Sequence, residues 1–225
     1  MKPHMWPLRG YHRVMSRTRT LIAITALAAL PAVALAAKPA PHSVTIAAPA
    51  AITFGHAATI SGTTSPNTSV TLRADAFPFN GAFGQVATVT SNATGAYTFS
   101  VKPDANTHYR VTAKTHPTAQ SPVATVSVRW RVTRTVSTRH PKKGSRVRFS
   151  GSVSPAHNGA VAELQRRTSS GFKTVKTATL TAGTATSSHY SLRVRVKRNG
   201  TYRVRVEADA AHLAGNSRRV TLKVH

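Results

Sequence analysis

The sequence repeats itself once. The stretch Gly55–Pro66, GHAATISGTTSP, is matched 89 residues later by Gly144–Pro155, GSRVRFSGSVSP. Tyr97–Val101 matches Tyr190–Val194 at a spacing of 93 residues. The spacing grows through short insertions, which loops tolerate. A repeat of this length in a chain of 225 residues predicts two copies of one module.

Each copy alternates apolar and polar residues with the period of a β-strand. The alternation is clearest from Tyr190 to Lys197, and turn residues such as Asn199-Gly200 separate the runs. We expect about seven strands per copy, as in a β-sandwich. No stretch after residue 37 has the apolar spacing of a helix. The predicted strand starts in the first copy are Ser43, Ala58, Ser69, Gln85, Tyr97, Tyr109 and Ala124.

Two short motifs recur in both copies. One is Ile-Ser-Gly or Phe-Ser-Gly, ending at Gly62 and Gly151, and the other is Tyr-Arg-Val, beginning at Tyr109 and Tyr202. These segments resemble the bacterial immunoglobulin-like and fibronectin-like modules of exported surface proteins of actinobacterial type. The resemblance implies tandem β-sandwich domains with tyrosine corners at Tyr109 and Tyr202, whose hydroxyls tie a loop backbone to the sheet. Such modules act as spacers, adhesins or carbohydrate-binding accessories.

The first 37 residues have the pattern of a signal peptide. Cations without acids are followed by an apolar run from Leu21, and small residues at Ala34 and Ala36 suit signal peptidase. We expect cleavage near Ala36 or Ala37, with an uncleaved membrane anchor as the alternative, and a secreted or surface-held protein. The predicted organisation is all-β: a signal peptide at 1–37 and immunoglobulin-like β-sandwich domains at 38–132 and 133–225.

Acidic residues are too few for most catalytic sites. The chain has five Asp or Glu and no cysteine, so disulfides and thiolate metal ligands are excluded. Glu207 and Asp209 form the nearest acidic pair, but Arg203 and Arg205 stand beside them, which indicates local charge balance. The 11 histidines show no zinc-binding spacing. We expect no catalytic residue, no metal, no cofactor and no enzymatic activity.

Cations are concentrated in the second copy. The chain has 31 Lys or Arg, and its formal net charge of +26 attracts anionic polymers. Arg148 and Arg193 stand where the first copy has Thr59 and Ser100, so the fold does not require these arginines. The second and fifth strands of a sandwich share one sheet. That pairing predicts an anion-binding face formed by Arg146, Arg148, Arg193, Arg195 and Lys197.

The sequence leaves two classes of function open. One is a non-catalytic exported binding or spacer module that contacts anionic wall or matrix polymers. For its cationic face, the alternative is a merely solvated strand surface. The other class is an accessory module of an extracellular carbohydrate-active or other enzyme system.

Aromatic residues bear on the choice of partner. Few are expected to point outward, which makes nucleic acid the lesser candidate. Phe77, Phe79 and Phe83 lie in one loop, where they form either a binding tip or, as we expect, a cap on the sandwich. Trp130 is expected to pack at the junction of the copies.

Overall fold

The computed structural model describes residues 43–225, and the predicted signal peptide lies outside them. These residues form strands without a helix, and none of their segments could cross a membrane as a helix. The strands of the first half, residues 43–129, are β1 (Ala51–Thr53), β2 (Ala58–Thr63), β3 (Ser69–Ala76), β4 (Gly84–Thr90), β5 (Ala96–Val101), β6 (Thr107–Ala113), β7 (Ala119–Gln120) and β8 (Ala124–Arg129). Those of the second half, residues 130–225, are β9 (Arg131–Val132), β10 (Thr135–Val136), β11 (Arg146–Ser154), β12 (Val161–Thr168), β13 (Gly171–Thr179), β14 (Thr181–Thr184), β15 (Ser187–Arg195), β16 (Gly200–Val206), β17 (Gly215–Asn216) and β18 (Val220–Leu222).

Two sheets pack against each other in the first half. One has the strand order β1-β8-β6-β3-β4 with β7 beside β6, and the other pairs β2 with β5. The predicted strand at Ser43 is replaced by an extended segment, in which Thr45 N donates to Thr63 O of β2 at 2.9 Å. Ile60 of the small sheet and Leu72 of the large sheet share one buried cluster. The inward faces of both sheets therefore form a single core, as in a β-sandwich.

The second half repeats this arrangement. Its sheets have the orders β10-β11-β15-β14, with β9 beside β11, and β13-β12-β16-β17, with β18 beside β16. Phe149 and Leu192 from the first of these sheets share a buried cluster with Leu164 and Val204 from the second. The predicted pairing of the second and fifth strands is seen in both halves, as β2 with β5 and β11 with β15.

A tyrosine that binds a backbone carbonyl recurs in both halves. The hydroxyl of Tyr190 donates to Thr133 O at 2.6 Å, and that of Tyr97 donates to Thr45 O. Tyr190 lies opposite Gly151 in the β11–β15 register. A Cβ at Gly151 would lie less than 3 Å from both Thr133 O and the tyrosine hydroxyl. The glycine therefore leaves room for the ring to reach across its own sheet.

The expected tyrosine corners at Tyr109 and Tyr202 are wrong in this detail. Both residues are buried in β6 and β16. Burial raises the pKa of both hydroxyls, and side-chain hydrogen bonding, to Thr107 and Arg166 respectively, opposes that rise. The backbone-binding role belongs instead to the tyrosines of β5 and β15, because only these face a glycine on the neighbouring strand.

Main-chain hydrogen bonds join the two halves. We call residues 207–214, between β16 and β17, the junction loop. Within it, Leu213 N donates to Val128 O at 2.8 Å, and Ala211 O accepts from Asn106 N at 2.8 Å. These bonds attach the loop to β8 and to the start of β6. The loop cannot leave the first half without breaking backbone hydrogen bonds, so the junction is held firmly.

Trp130 packs at this junction, as expected. Its ring stacks on His212 with centroids 3.9 Å apart, and its indole N–H donates to Glu207 O at 3.0 Å. The His212 ring is itself positioned by Asp104 O, 2.9 Å from Nε2, and by the Asp209 carboxylate, 3.3 Å from Nδ1. Ring stacking and polar contacts thus reinforce the backbone bonds.

We expect Tyr190→Phe to lower the free energy of unfolding by about 1–2 kcal/mol, because the Thr133 carbonyl then loses its partner. Tyr97→Phe removes the equivalent bond in the first half and should have a similar effect. Chemical denaturation of both variants and the wild type measures the change. Unfolding curves that superimpose on that of the wild type would contradict the role assigned to these hydroxyls.

We expect Gly215→Ala to loosen the junction. A Cβ there would lie less than 3 Å from the carbonyl oxygen and Cβ of Trp130, so β17 must shift away from the indole. The measurement is hydrogen exchange at the amides of Trp130 and Leu213, which should become at least about tenfold faster, as expected for a loss of roughly 1.4 kcal/mol of local stability. Gly84→Ala is the control, because its nearest neighbour is 3.9 Å away. Equal exchange rates in both variants would reject the steric argument.

Candidate anion-binding face

Four of the predicted cations lie where β11 and β15 pair. Arg146 is directly opposite Arg195, and Arg148 is directly opposite Arg193. All four side chains are exposed, whereas Val147, between two of them, is fully buried. We call these four residues the arginine face. The alternation that fills the core thus places two pairs of guanidinium groups on the solvent side of one sheet.

Lys197 lies apart from the arginine face. It follows the end of β15 and lines a cavity of about 200 Å³, to which Arg195 also contributes. The other three members of the arginine face border a different cavity, of about 310 Å³. This second cavity is lined by Ser137, Arg146, Arg148 and Arg193. The predicted set is therefore divided between two neighbouring sites.

No carboxylate neutralises the arginine face. Among residues 43–225, the acids of the second half are engaged elsewhere. Glu163 accepts from Thr174 on the opposite sheet at 2.9 Å, Glu207 is bound by Arg205 at 2.5 and 2.7 Å, and Asp209 lies in the junction loop. The four arginines form no ion pair with any described residue. Their charge is open to solvent and to an external anion.

Two arginines of the opposite sheet, Arg203 and Arg205, already have protein partners. Arg203 donates to Gln165 Oε1 at 2.9 Å, and its guanidinium lies 4.1 Å from the centroid of the Phe172 ring. Burial lowers the pKa of Arg203, and the neighbouring Arg205 lowers it further. Hydrogen bonding from Arg205 lowers the pKa of Glu207. These side chains have protein partners, so they offer less to an external anion than the arginine face does.

The arginine face has the geometry to bind a repeating anion. Neighbouring strands lie about 5 Å apart and alternate residues about 7 Å apart, so the guanidinium groups form a two-by-two grid. Each guanidinium can bind a carboxylate, sulfate or phosphate through two parallel hydrogen bonds. Directly opposed cations repel each other when the face is empty. A polyanion would relieve that repulsion and make ionic contacts at the same time.

Three residues beside these cavities were missed by reasoning from sequence. Ser137 lies beside Arg148, because Arg148 N donates to Ser137 Oγ at 3.1 Å, and no sequence pattern indicates this contact. Arg198 follows Lys197 directly, and extending the cationic run into the turn would have found it. Arg166 occupies an inward position of β12, in line with the buried Leu164. A cation at a core-facing position of an alternating strand is unusual, and this departure from the pattern could have singled out Arg166 from the sequence.

The aromatic loop of the first half folds back on its own sandwich. Phe79 stacks on His108 with centroids 4.0 Å apart, and Phe77 meets Phe79 edge to face at 5.7 Å. The guanidinium of Arg110 lies 4.2 Å from the centroid of Phe83. These contacts fit the expected cap better than a free binding tip.

Comparisons with known proteins identify no family. No family model matches the chain, and no curated protein matches it. Similar solved structures include a tetra-tandem repeat from the extending region of a large adhesion protein (19% identity, TM-score 0.36, 80% of this chain and 49% of that one). A red sea bream transglutaminase is also similar, with 13% identity and a TM-score of 0.44, and the match covers 84% of this chain and 32% of that one. A Salmonella alpha-2-macroglobulin has 12% identity and a TM-score of 0.36, and the match covers 80% of this chain and 16% of that one. The chain spans less than half of each, and likenesses this weak carry no argument about function.

We expect the double change Arg148→Thr and Arg193→Ser to stabilise the protein at low ionic strength by about 0.2–1 kcal/mol. These are the residues of the first copy, where Thr59 pairs with Ser100, and the change removes two like charges that face each other. Denaturation at two salt concentrations measures the effect, which should shrink as salt screens the repulsion. A variant less stable than the wild type at low salt would contradict it.

Proposed function

We propose that this chain is a non-catalytic exported module that binds anionic polymers of a cell envelope or extracellular matrix through the arginine face. The observation that carries the proposal is the pair of opposed arginines, Arg146 with Arg195 and Arg148 with Arg193, exposed and without acidic partners among the described residues. A face of this kind costs stability in the free protein. The first copy shows that the same strand pair folds with Thr and Ser instead.

The proposal of a binding role without catalysis rests on where the few carboxylates lie. Glu207 is held by two hydrogen bonds from Arg205. Asp209 accepts from the backbone amides of Ala211 and His212, which fixes the junction loop. Both acids thus have structural partners, and neither lines one of the cationic cavities described above. A carboxyl group that acted as general acid or base would have to face a substrate.

We further propose that the two repeat copies are tandem immunoglobulin-like domains, at residues 38–132 and 133–225, exported by the signal peptide at 1–37. Two separate buried clusters support a division into two copies, one built from Val44 to Val126 and the other from Trp130 to Leu222. They place Trp130 and Val132 with the second copy rather than the first. The junction loop bonds the two copies to each other, as a rigid spacer requires. The arginine face is thereby held at a fixed position relative to the first copy.

The test is retention of residues 38–225 on a sulfated polysaccharide, heparin, at increasing salt. We expect the double variant Arg148→Glu and Arg193→Glu to elute from heparin at lower salt than the wild type. The slope of log affinity against log salt should become shallower, by the amount that about two lost ionic contacts predict. The matched control is Lys173→Glu with Lys176→Glu. It makes the same change in net charge on exposed residues of β13, in the opposite sheet.

The comparison between the two variants decides the proposal. Earlier release of the arginine variant alone supports binding through the arginine face. Equal release of both variants would show that net charge alone retains the protein, and it would reject this face as a site.

A further inference from the structure

An arginine occupies a core-facing position at one end of the second half. Along β12 the residues Ala162 and Leu164 point inward and are fully buried, and Arg166 continues the same row. In the β12–β16 register it lies directly opposite Tyr202, itself 4% exposed. A partly buried guanidinium is costly without a counter-charge.

The Arg166 side chain is fixed in place by its neighbours. Its Nη2 donates to Asn199 O at 2.8 Å. Its Nε is buried and has no hydrogen-bond partner among the described residues. A Cβ at Gly200 would lie 2.6 Å from this Nε, so the glycine backbone packs closely against the guanidinium. The group is therefore pre-positioned before any ligand arrives, which lowers the entropic cost of binding.

Three further cations surround the same space. Together with Arg166 they line the cavity of about 200 Å³, which we call the cationic pocket. Its other lining residues are Tyr202 and two valines, and none of them is acidic. Burial raises the pKa of the Tyr202 hydroxyl, and the positive charges of Arg166 and Arg198 both oppose that rise. The complete lining is Arg166, Val175, Val194, Arg195, Lys197, Arg198 and Tyr202.

The first copy lacks this pocket chemistry at matching positions. Ala74 lies opposite Tyr109 in the β3–β6 register, where the second copy has Arg166 opposite Tyr202. At the spacing of 93 residues, Asp104 and Ala105 stand where Lys197 and Arg198 do. Arg195 matches Lys102 at the same spacing, so three of the four cations have no counterpart in the first copy, and the fold does not require those three. In the first copy this end is covered instead, because Asp104 O contacts His212 of the second half.

The turn at Asn199, beside the cationic pocket, has hydrogen-bond donors without protein acceptors among the described residues. Asn106 and Asn199 are repeat-matched, and each accepts from a backbone amide through Oδ1, from Val128 at 2.8 Å and Val224 at 2.7 Å respectively. Asn106 N and Nδ2 donate to carbonyls of the junction loop. The same two donors of Asn199 have no partner among residues 43–225. A ligand at this end would meet amide donors as well as cations.

We propose that the cationic pocket is a specific site for a phosphate or sulfate ester group, with Arg166 as its central ligand-binding residue. This inference deepens the proposed function, since the ester would belong to the same anionic polymer. A tetrahedral oxyanion accepts the several charged hydrogen bonds that converge here. Val175 and Val194 give the carbon side of the ester an apolar contact. The cavity volume suits one such group rather than a folded partner.

The test is a titration of ¹⁵N-labelled residues 38–225 with glycerol phosphate, followed by amide chemical shifts, with chloride at equal ionic strength as the reference. We expect saturable shifts at Asn199, Gly200 and Tyr202. Arg166→Ala, which installs the residue of the first copy, should weaken this binding at least about tenfold. Arg166→Lys keeps the charge without the planar fork and should weaken it less. The matched control, Arg167→Ala, removes an exposed neighbouring charge on the outer side of β12 and should bind as the wild type does.

The outcomes separate this site from the arginine face. Saturable shifts that are lost in Arg166→Ala and kept in Arg167→Ala support the cationic pocket, and repeating the titration with methyl sulfate, a sulfate monoester, tells which ester is preferred. Equal weakening in both variants, or shifts that never saturate, would overturn it. Retention on heparin that depends on Arg148 and Arg193 can persist in either case, so failure of the pocket and failure of the arginine face are distinguishable. A dispersed spectrum of Arg166→Ala, like that of the wild type, shows that the variant is folded.

Discussion

Burial of apolar side chains between paired sheets is the interaction on which this cysteine-free chain depends. Ile60 and Leu72 are fully buried in the first half, and Phe149 and Leu164 in the second. Without disulfides to constrain the unfolded chain, this burial and the backbone ladders must supply the stability. Because alternate residues along each strand point away from the core, the outer positions are free to differ between the copies. The arginine face occupies outer positions of this kind.

The sequence predicted the strands well where alternation was long, and less well where contacts between distant segments decided the outcome. The pairing of β11 with β15 was predicted from the strand arrangement of a sandwich, and period-two patterning predicted that Arg148 and Arg193 point outward on it. The backbone-binding tyrosine was misplaced because its partner, Thr133, lies on a segment with no strand pattern of its own. Lys197 was grouped with the four arginines, and it lines a cavity with only one of them, Arg195, because the pattern cannot show where a sheet ends and a turn begins.

The positions of its few acidic residues determine which cations of the second half lack a counter-charge. Glu163 and Glu207 are associated with the opposite sheet, and Asp209 with the junction loop. That leaves the β11–β15 surface and the cationic pocket uncompensated, although every cation contributes to the self-repulsion of a chain with a net charge of +26. An arrangement that weakens the free protein in two adjacent places is consistent with a partner that supplies the missing negative charge.

The junction loop has a consequence for the order in which the molecule is completed. The chain is synthesised from its N-terminus, so β6 and β8 exist before the residues that bond to Asn106 N and Val128 O. Those partners, Ala211 and Leu213, belong to the second copy and are made later. Until they arrive, the N-terminal half carries open main-chain donors and acceptors at the edge where its neighbour will dock. A truncation that removes the junction loop would therefore affect a residue more than 100 positions upstream, because Asn106 would lose its partners in that loop.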